Sequence, residues 1–319
     1  MWMGAGRRSW PSQARIFQLH MANSLQTPEL FKPFDGAVGL FDSGVGGLSI
    51  LRSVRSLMPA LDLVYVADSL HAPYGEQSEA FIKARTLALG LALERAGVKA
   101  MVVACNTATV LAVKALRAQT QLPVVAIEPA IKPAVSQTRS GVVGVLATTQ
   151  TTQSQSVQRL CERYGTNTKI LLQACPGLVE LVESGQHQSD EVHQLLSHFV
   201  EPLIRQGADT LVLGCTHYSF LKEMIGLVAG KGVELIDPAD AVARELGRRL
   251  SLQSMATEKN VDPKALNHES LDAQAQFLHP HGSGTIRLFT TGSISQAQVV
   301  MSRLWGEDLV VQSFTDPLT

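Results

Sequence analysis

Cysteine is the residue type with the clearest capacity for proton transfer in this sequence, and four are present: Cys105, Cys161, Cys175 and Cys215. They form no C-x-x-C pair and no tight His/Cys group of zinc-binding spacing, so no metal is expected. A disulfide is unnecessary for a core of this size, and free thiols are expected. Two of the four stand in matching contexts, Met101-Val-Val-Ala-Cys-Asn-Thr-Ala108 and Leu211-Val-Leu-Gly-Cys-Thr-His-Tyr218. Each reads as an apolar strand ending in a small residue, then the cysteine, then Asn, Thr or His at the start of a helix. A sulfur there lies near several backbone N–H groups and the positive end of the helix dipole, which favour thiolate over thiol. From an ordinary value of about 8.5, a modest depression suffices for base catalysis near neutral pH. One such cysteine is more often a buried, inert thiol. A matched pair, one from each half of the chain, points to two acid/base groups. Cys161 and Cys175 lack this setting and are expected to be dispensable.

Other segments offer polar groups. Phe41-Asp-Ser-Gly-Val-Gly-Gly-Leu-Ser-Ile50 follows a strand and leads into a helix. Its glycines resemble a dinucleotide fingerprint, but Ser49 takes the place of the third glycine, and no G-K-[ST] phosphate loop is present. The glycines are read as permitting close backbone approach while Asp42 and Ser43 face a small ligand. The plain alternative is a tight turn with Asp as helix cap. In Asp68-Ser-Leu-His-Ala-Pro-Tyr-Gly75, Pro73 and Gly75 set a turn in which Tyr74 either presents its hydroxyl or packs its ring beneath the loop. His217, two positions after Cys215, has the chemistry to protonate an amino group or stabilise a thiolate. Glu183 competes with Glu180 for a place on the same side of a cleft.

These residues need a frame. Short runs of Val, Ile, Leu and Ala alternate with helical patterns, the signature of an α/β fold with parallel sheets. The runs are Ala37–Phe41, Asp62–Ala67, Ala100–Ala104, Pro123–Ile127, Gly141–Leu146, Lys169–Leu172, Thr210–Leu213 and Val233–Ile236, with Thr285–Phe289 and Leu309–Phe314 near the end. Helices are predicted over Ser78–Ala96, Thr107–Ala118, Thr152–Tyr164, Glu191–Gln206, Ala239–Leu250 and Ser293–Leu304. Ligands bind beyond the carboxyl ends of such strands, where both cysteines fall. We therefore expect two similar lobes, each with a mostly parallel sheet flanked by helices, and an active site in the cleft between them. Residues 37–128 with 239–319 form the first lobe, and 129–238 the second. The polar segment Ser251–Gly284 is an insertion, and residues 1–36 an N-terminal extension, with Met21 an alternative start.

The composition excludes several functions. The chain has 319 residues, 45% of them hydrophobic, and 27 Lys and Arg against 28 Asp and Glu. This balance leaves no electrostatic footprint for nucleic acid or a membrane surface. No apolar stretch approaches the roughly 18 residues of a membrane span, and the polar residues after Arg7-Arg8 interrupt any export signal. A cytoplasmic location is expected.

Taken together, Phe41-Asp-Ser-Gly-Val-Gly-Gly-Leu48, Tyr65-Val-Ala-Asp68 with Pro73-Tyr-Gly75, Ala104-Cys-Asn-Thr-Ala108, Ile127-Glu-Pro-Ala-Ile-Lys-Pro-Ala134 and Gly214-Cys-Thr-His217 are specific. Through them the sequence resembles the glutamate racemases of the aspartate/glutamate racemase superfamily. The resemblance implies a cofactor-independent isomerase that interconverts L- and D-glutamate and supplies D-glutamate for peptidoglycan. It implies that Asp42, Ser43, Tyr74, Gly75, Asn106, Thr107, Thr216 and His217 bind the amino acid, with Thr148 a further contact. It also implies that Asp42 assists Cys105, while His217 and Glu183 assist Cys215. Inversion needs a proton removed from one face of the α-carbon and one returned to the other, so two groups on opposite faces are required. By resemblance, Cys105 serves D-glutamate and Cys215 serves L-glutamate.

The chain departs from the family at Ala147-Thr-Thr-Gln-Thr-Thr-Gln-Ser154, which lacks an expected glycine and later tyrosine, and in the longer insertion Ser251–Gly284. The extension is similar in kind to that of members activated by a UDP-linked muramyl precursor, and such an activator and a homodimer stay open. So do a racemase of aspartate or another small acid, a decarboxylase using one of the cysteines, and a non-catalytic protein that senses glutamate or inhibits a partner.

Overall fold

The computed structural model describes residues 32–257 and 283–318. The extension as far as residue 31, Met21 included, and residues 258–282 of the predicted insertion lie outside the described residues. The runs rich in Val, Leu and Ala form strands, and every pairing between them is parallel.

The first sheet contains β1 (Val38–Asp42), β2 (Leu63–Ala67), β3 (Ala100–Val103), β4 (Val124–Ala126), β9 (Ile286–Thr290) and β10 (Val311–Ser313), in the order β10-β9-β2-β1-β3-β4. The second contains β5 (Val142–Ala147), β6 (Lys169–Ala174), β7 (Thr210–Gly214) and β8 (Glu234–Ile236), in the order β6-β5-β7-β8. Strands β1, β2, β3 and β7 are buried along their whole length. Helices cover both faces of a parallel sheet, so such strands must be apolar on both sides rather than alternating. Two parallel sheets, each flanked by helices, are the expected fold class.

The helices are α1 (Leu48–Leu57), α2 (Glu79–Arg95), α3 (Asn106–Arg117), α4 (Ile131–Gln137), α5 (Thr149–Gln153), α6 (Gln155–Tyr164), α7 (Leu178–Glu183), α8 (Asp190–Arg205), α9 (Lys222–Ala229), α10 (Ala239–Thr257) and α11 (Ile294–Trp305). Two depart from the sequence reading. The helix predicted over Thr152–Tyr164 is α5 followed by α6, because Ser154 leaves helical geometry and its hydroxyl caps α6 by accepting from Val157 N at 3.2 Å. The helix predicted to stop at Leu250 runs on to Thr257, into the segment read as a polar insertion. Neither Gly nor Pro interrupts Ser251–Thr257, and Ser251 Oγ bonds back to Gly247 O at 3.1 Å instead of breaking the helix.

One hydrophobic cluster runs from Val38, Leu40 and Tyr65 through Leu48 and Leu51 of α1 to Leu178 and Val182 of α7 and on to Leu211 and Leu213 of β7, joining the two sheets. In each sheet the strand order reverses at one place, between β1 and β3 in the first and between β5 and β7 in the second. Adjacent crossovers leave on opposite faces there, opening a crevice beyond the strand ends. Among the described residues no helix is long and apolar enough to cross a membrane.

Candidate active site

The two reversal points carry the two matched cysteines. Cys105 follows β3 and is the N-cap of α3, with φ −133° and ψ 119°. Cys215 follows β7 and precedes the 3-10 turn Thr216–Leu221, with φ −145° and ψ 135°. Both cysteines share an extended backbone at a strand end, but only Cys105 opens an α-helix; the helix expected directly after Cys215 begins at Lys222, with the 3-10 turn in between. They are 5% and 6% exposed, and close enough to feel each other's charge. Cys175 is buried and Cys161 half-buried, and neither caps a helix at a reversal point.

Asp42 ends β1 between the two. Its Oδ1 accepts from Ser43 N at 2.6 Å and Ser43 Oγ at 3.2 Å, and its Oδ2 from Thr216 Oγ1 at 3.0 Å. Cys105 Sγ donates to Ser43 Oγ at 3.7 Å. A single carboxylate thus touches the surroundings of both cysteines. On the other side, Cys215 Sγ lies 3.6 Å from His217 Nδ1, and His217 Nε2 meets Glu183 Oε1 at 2.6 Å. Glu183 Oε1 also accepts from Val45 N at 2.7 Å. Of the two competing glutamates, Glu183 makes this contact and Glu180 is exposed.

The glycine-rich turn works through space rather than through unusual torsion angles, since Gly44, Gly46 and Gly47 have no positive φ. A Cβ at Gly44 would lie 1.8 Å from Glu183 Oε1, and one at Gly46 would lie 2.4 Å from His217 Nδ1. The backbone therefore passes where any side chain would displace the His217–Glu183 pair.

The remaining predicted residues divide into two groups. Thr107 Oγ1 contacts Thr148 Oγ1 at 2.9 Å, bringing the start of α3 against the start of α5. Among the described residues neither polar atom of the buried Asn106 side chain has a partner, so both are available to a ligand. Tyr74 turns away, its hydroxyl donating to Asp68 Oδ2, while Gly75 packs against Thr148. Two residues went unnoticed in the sequence. Thr151, fully buried, bonds both Thr107 and Thr148, at 3.2 and 2.9 Å. Its spacing of three from the capping Thr148 was the available signal. Tyr65, in the middle of β2, donates its hydroxyl to Gly44 O and so holds the glycine turn. Nothing local in a buried strand marks such a role.

The electrostatics correct one expectation. The helix position does supply a hydrogen bond from Ala108 N–H to Cys105, but burial and, next, the Asp42 carboxylate push this thiol well up rather than down. Burial likewise raises Asp42, against the pull of the His217 charge. For His217 burial opposes the charged ring, yet hydrogen bonds to Cys215 and Glu183, and their charges, hold it well above its usual value. The site is asymmetric, with a cationic ring beside Cys215 and a carboxylate beside Cys105.

Among the described residues no group of three or more His, Cys, Asp or Glu side chains has the arrangement to hold a metal. An open cavity of about 760 Å³ borders the site through Val45, Pro73 and Glu183, and neither Cys105 nor Cys215 lines it.

The model of the family Asp/Glu/Hydantoin racemase matches residues 48–246. A glutamate racemase from Ectopseudomonas mendocina (strain ymp) is 45% identical over 278 residues, 87% of this chain and 97% of its own. Among solved structures, a glutamate racemase isoform from Bacillus anthracis superposes with a TM-score of 0.73 at 29% identity, over 89% of this chain and 99% of its own. The Escherichia coli glutamate racemase, solved with L-glutamate and the activator UDP-MurNAc-ala, gives 0.70 at 31% identity, over 88% of this chain and 98% of its own.

Proposed function

The chain belongs to the Asp/Glu/Hydantoin racemase family, and from that premise we propose that it interconverts L- and D-glutamate without a cofactor, by two-base chemistry at Cys105 and Cys215. The observation that carries this reading is the convergence of two strand-end cysteines, one from each sheet, beside Asp42 and the His217–Glu183 pair.

The substrate α-carbon lies between the sulfurs. Cys215 removes the proton of L-glutamate on one face while Cys105 delivers one to the other, and the roles exchange for D-glutamate. His217, kept cationic by Cys215 and Glu183, faces the Cys215 sulfur as its charge changes. Cys105 starts as the thiol, the form that burial and Asp42 favour, and so serves as the acid toward L-glutamate. A substrate ammonium entering this closed space opposes the Asp42 effect and eases formation of thiolate at Cys105 when D-glutamate is bound. With no cofactor to delocalise the carbanion, preorganised donors at the substrate carboxylate must do so. Ser43, Asn106, Thr107 and Thr216 fill that role, with Thr148 and Gly75 along the wall and Tyr74 behind it. Because the site is buried, substrate enters by a relative movement of lobes 37–128 with 239–319 and 129–238, and their closure excludes water.

The test is turnover of purified protein followed by circular dichroism, with each enantiomer of glutamate and of aspartate. Interconversion of both glutamate enantiomers with little turnover of aspartate is expected; preferential turnover of aspartate would replace the substrate assignment. We also propose a cytoplasmic location, supply of D-glutamate to peptidoglycan, a homodimer and activation by a UDP-linked muramyl precursor. The last is supported by the E. coli enzyme solved with such an activator. Repeating the assay with UDP-MurNAc-Ala should raise the rate, and sedimentation should give twice the chain mass.

A further inference from the structure

Asp68, at the end of β2, is fully buried, and so is Arg85 of α2. Arg85 grips Asp68 with two arms, Nε to Oδ2 at 2.9 Å and Nη2 to Oδ1 at 2.7 Å. The same carboxylate accepts the Tyr74 hydroxyl and Thr291 Oγ1. This pair is already balanced in charge and satisfied in hydrogen bonds, as burial demands. A second carboxylate nevertheless reaches it: Arg85 Nη1 donates to Asp316 Oδ1, in the segment that follows β10.

The other oxygen of Asp316 shows what the second carboxylate does. Its Oδ2 meets His71 Nε2 at 2.9 Å. His71 and Tyr74 belong to one turn, Asp68–Glu76, so the network holds that turn twice, at Tyr74 through Asp68 and at His71 through Asp316. The segment before Asp316 is itself anchored, by the pairing of β10 with β9, by Phe314 N donating to Thr290 O at 2.8 Å, and by the Phe314 ring against Phe289. The far side of the turn is Gly75, whose α-carbon packs so close to Thr148 that a Cβ would come within 2.9 Å of its Cβ.

We propose that Asp316 is a positioning residue for substrate binding, a tie from the C-terminal segment that fixes the turn carrying Tyr74 and Gly75 against the Thr107–Thr148–Thr151 hydroxyls. The inference rests on the reading of that turn as a wall of the glutamate cavity. Loss of Asp316 leaves Arg85 still paired with Asp68, so no buried charge is abandoned. The loss is expected both in stability and in the placement of the turn, and the second is what binding reads.

The test uses the full chain with Asp316→Asn and Asp316→Glu, comparing backbone hydrogen exchange over residues 69–77, steady-state kinetics with both glutamate enantiomers, and Tm. Asp316→Asn is expected to speed exchange in that segment, raise KM about tenfold in both directions and leave kcat within about twofold, as loss of one charge-assisted hydrogen bond acting on binding would. Asp316→Glu restores much of both and most of the Tm, whereas Asp316→Asn also lowers Tm at neutral pH, because a carboxyl held below its usual range adds stability there. His71→Asn, which removes the other end of the tie, should reproduce the KM change, and the double variant should be no worse than either single one. The idea is overturned if exchange over 69–77 is unchanged, if it rises with KM unaltered, or if Tm falls while KM stays normal. Should the unmodified protein fail to racemise glutamate, the substrate reading fails, while the exchange result still decides whether the tie holds the turn.

Discussion

At the scale of single residues, the two thiols are chemically alike and electrostatically different. L- and D-glutamate have equal free energy, so kcat/KM must be the same in both directions for any variant, and directional roles cannot be read from it. Isotope exchange can separate them. Cys105→Ala and Cys215→Ala are each expected to lower racemisation at least about a hundredfold, the scale of a lost general acid or base. In heavy water Cys105→Ala should still wash deuterium into L-glutamate only, and Cys215→Ala into D-glutamate only. Cys161→Ala and Cys175→Ala should leave turnover largely intact. Near-normal racemisation by Cys215→Ala would end the two-base model. His217 gives a pH signature. Its folded pKa lies above the unfolded value of about 6.5, so the stability it contributes is complete below that pH and lost as pH rises through the folded value. Glu183→Gln removes one of the charges holding the ring cationic, so the His217 titration followed by NMR should move to lower pH.

At the scale of elements, the turn between β1 and α1 is where a minimal change should do most. Gly44→Ala puts a methyl group onto Glu183 Oε1, the movable end of a long side chain, with no positive φ to strain the backbone. The fold should survive while Glu183 is pushed off His217 and Val45 N. Turnover is expected to fall about tenfold to a hundredfold, the equivalent of a charge-assisted hydrogen bond. A kinetic constant near that of the unmodified protein, with unchanged Tm, would show that Glu183 is not needed in that place. The strands and most helices of this turn's surroundings were legible because burial on both faces demands apolar runs and caps demand Ser, Thr or Asp. The break at Ser154 was not legible. In a run of Thr, Gln and Ser, each hydroxyl can either cap a helix or ride within one, and only the packing of α5 against neighbouring elements chooses.

At the scale of the whole molecule, acid is the expected weak point. Hydrogen bonds from Thr138, Ser140, Arg139 and Thr210 outweigh burial and hold the Asp209 carboxyl well below its usual range, and Arg85 and His71 do the same for Asp316. Carboxyls depressed in the folded state add stability above their unfolded value near 3.9, which is lost as pH falls through the folded one. Tm should therefore drop as pH is lowered from about 5 toward 2, and Asp209→Asn should flatten that dependence while lowering Tm at neutral pH. The sequence by itself determined the α/β class and parallel sheets, and it singled out the cysteine pair, since strand burial and the strand-to-helix junction are local properties written in neighbouring residues. It also supplied the short motifs through which the family could be seen. Tertiary structure decided which glutamate meets His217, that Asp42 is shared by Ser43 and Thr216, that the Tyr74 hydroxyl turns to Asp68, and that the Cys105 thiol is raised rather than lowered. The first two join groups more than thirty residues apart, the Tyr74 choice turns on how Arg85 of another element fixes Asp68, and the last on burial from all sides; neither distance through space nor desolvation is encoded in the order of adjacent residues.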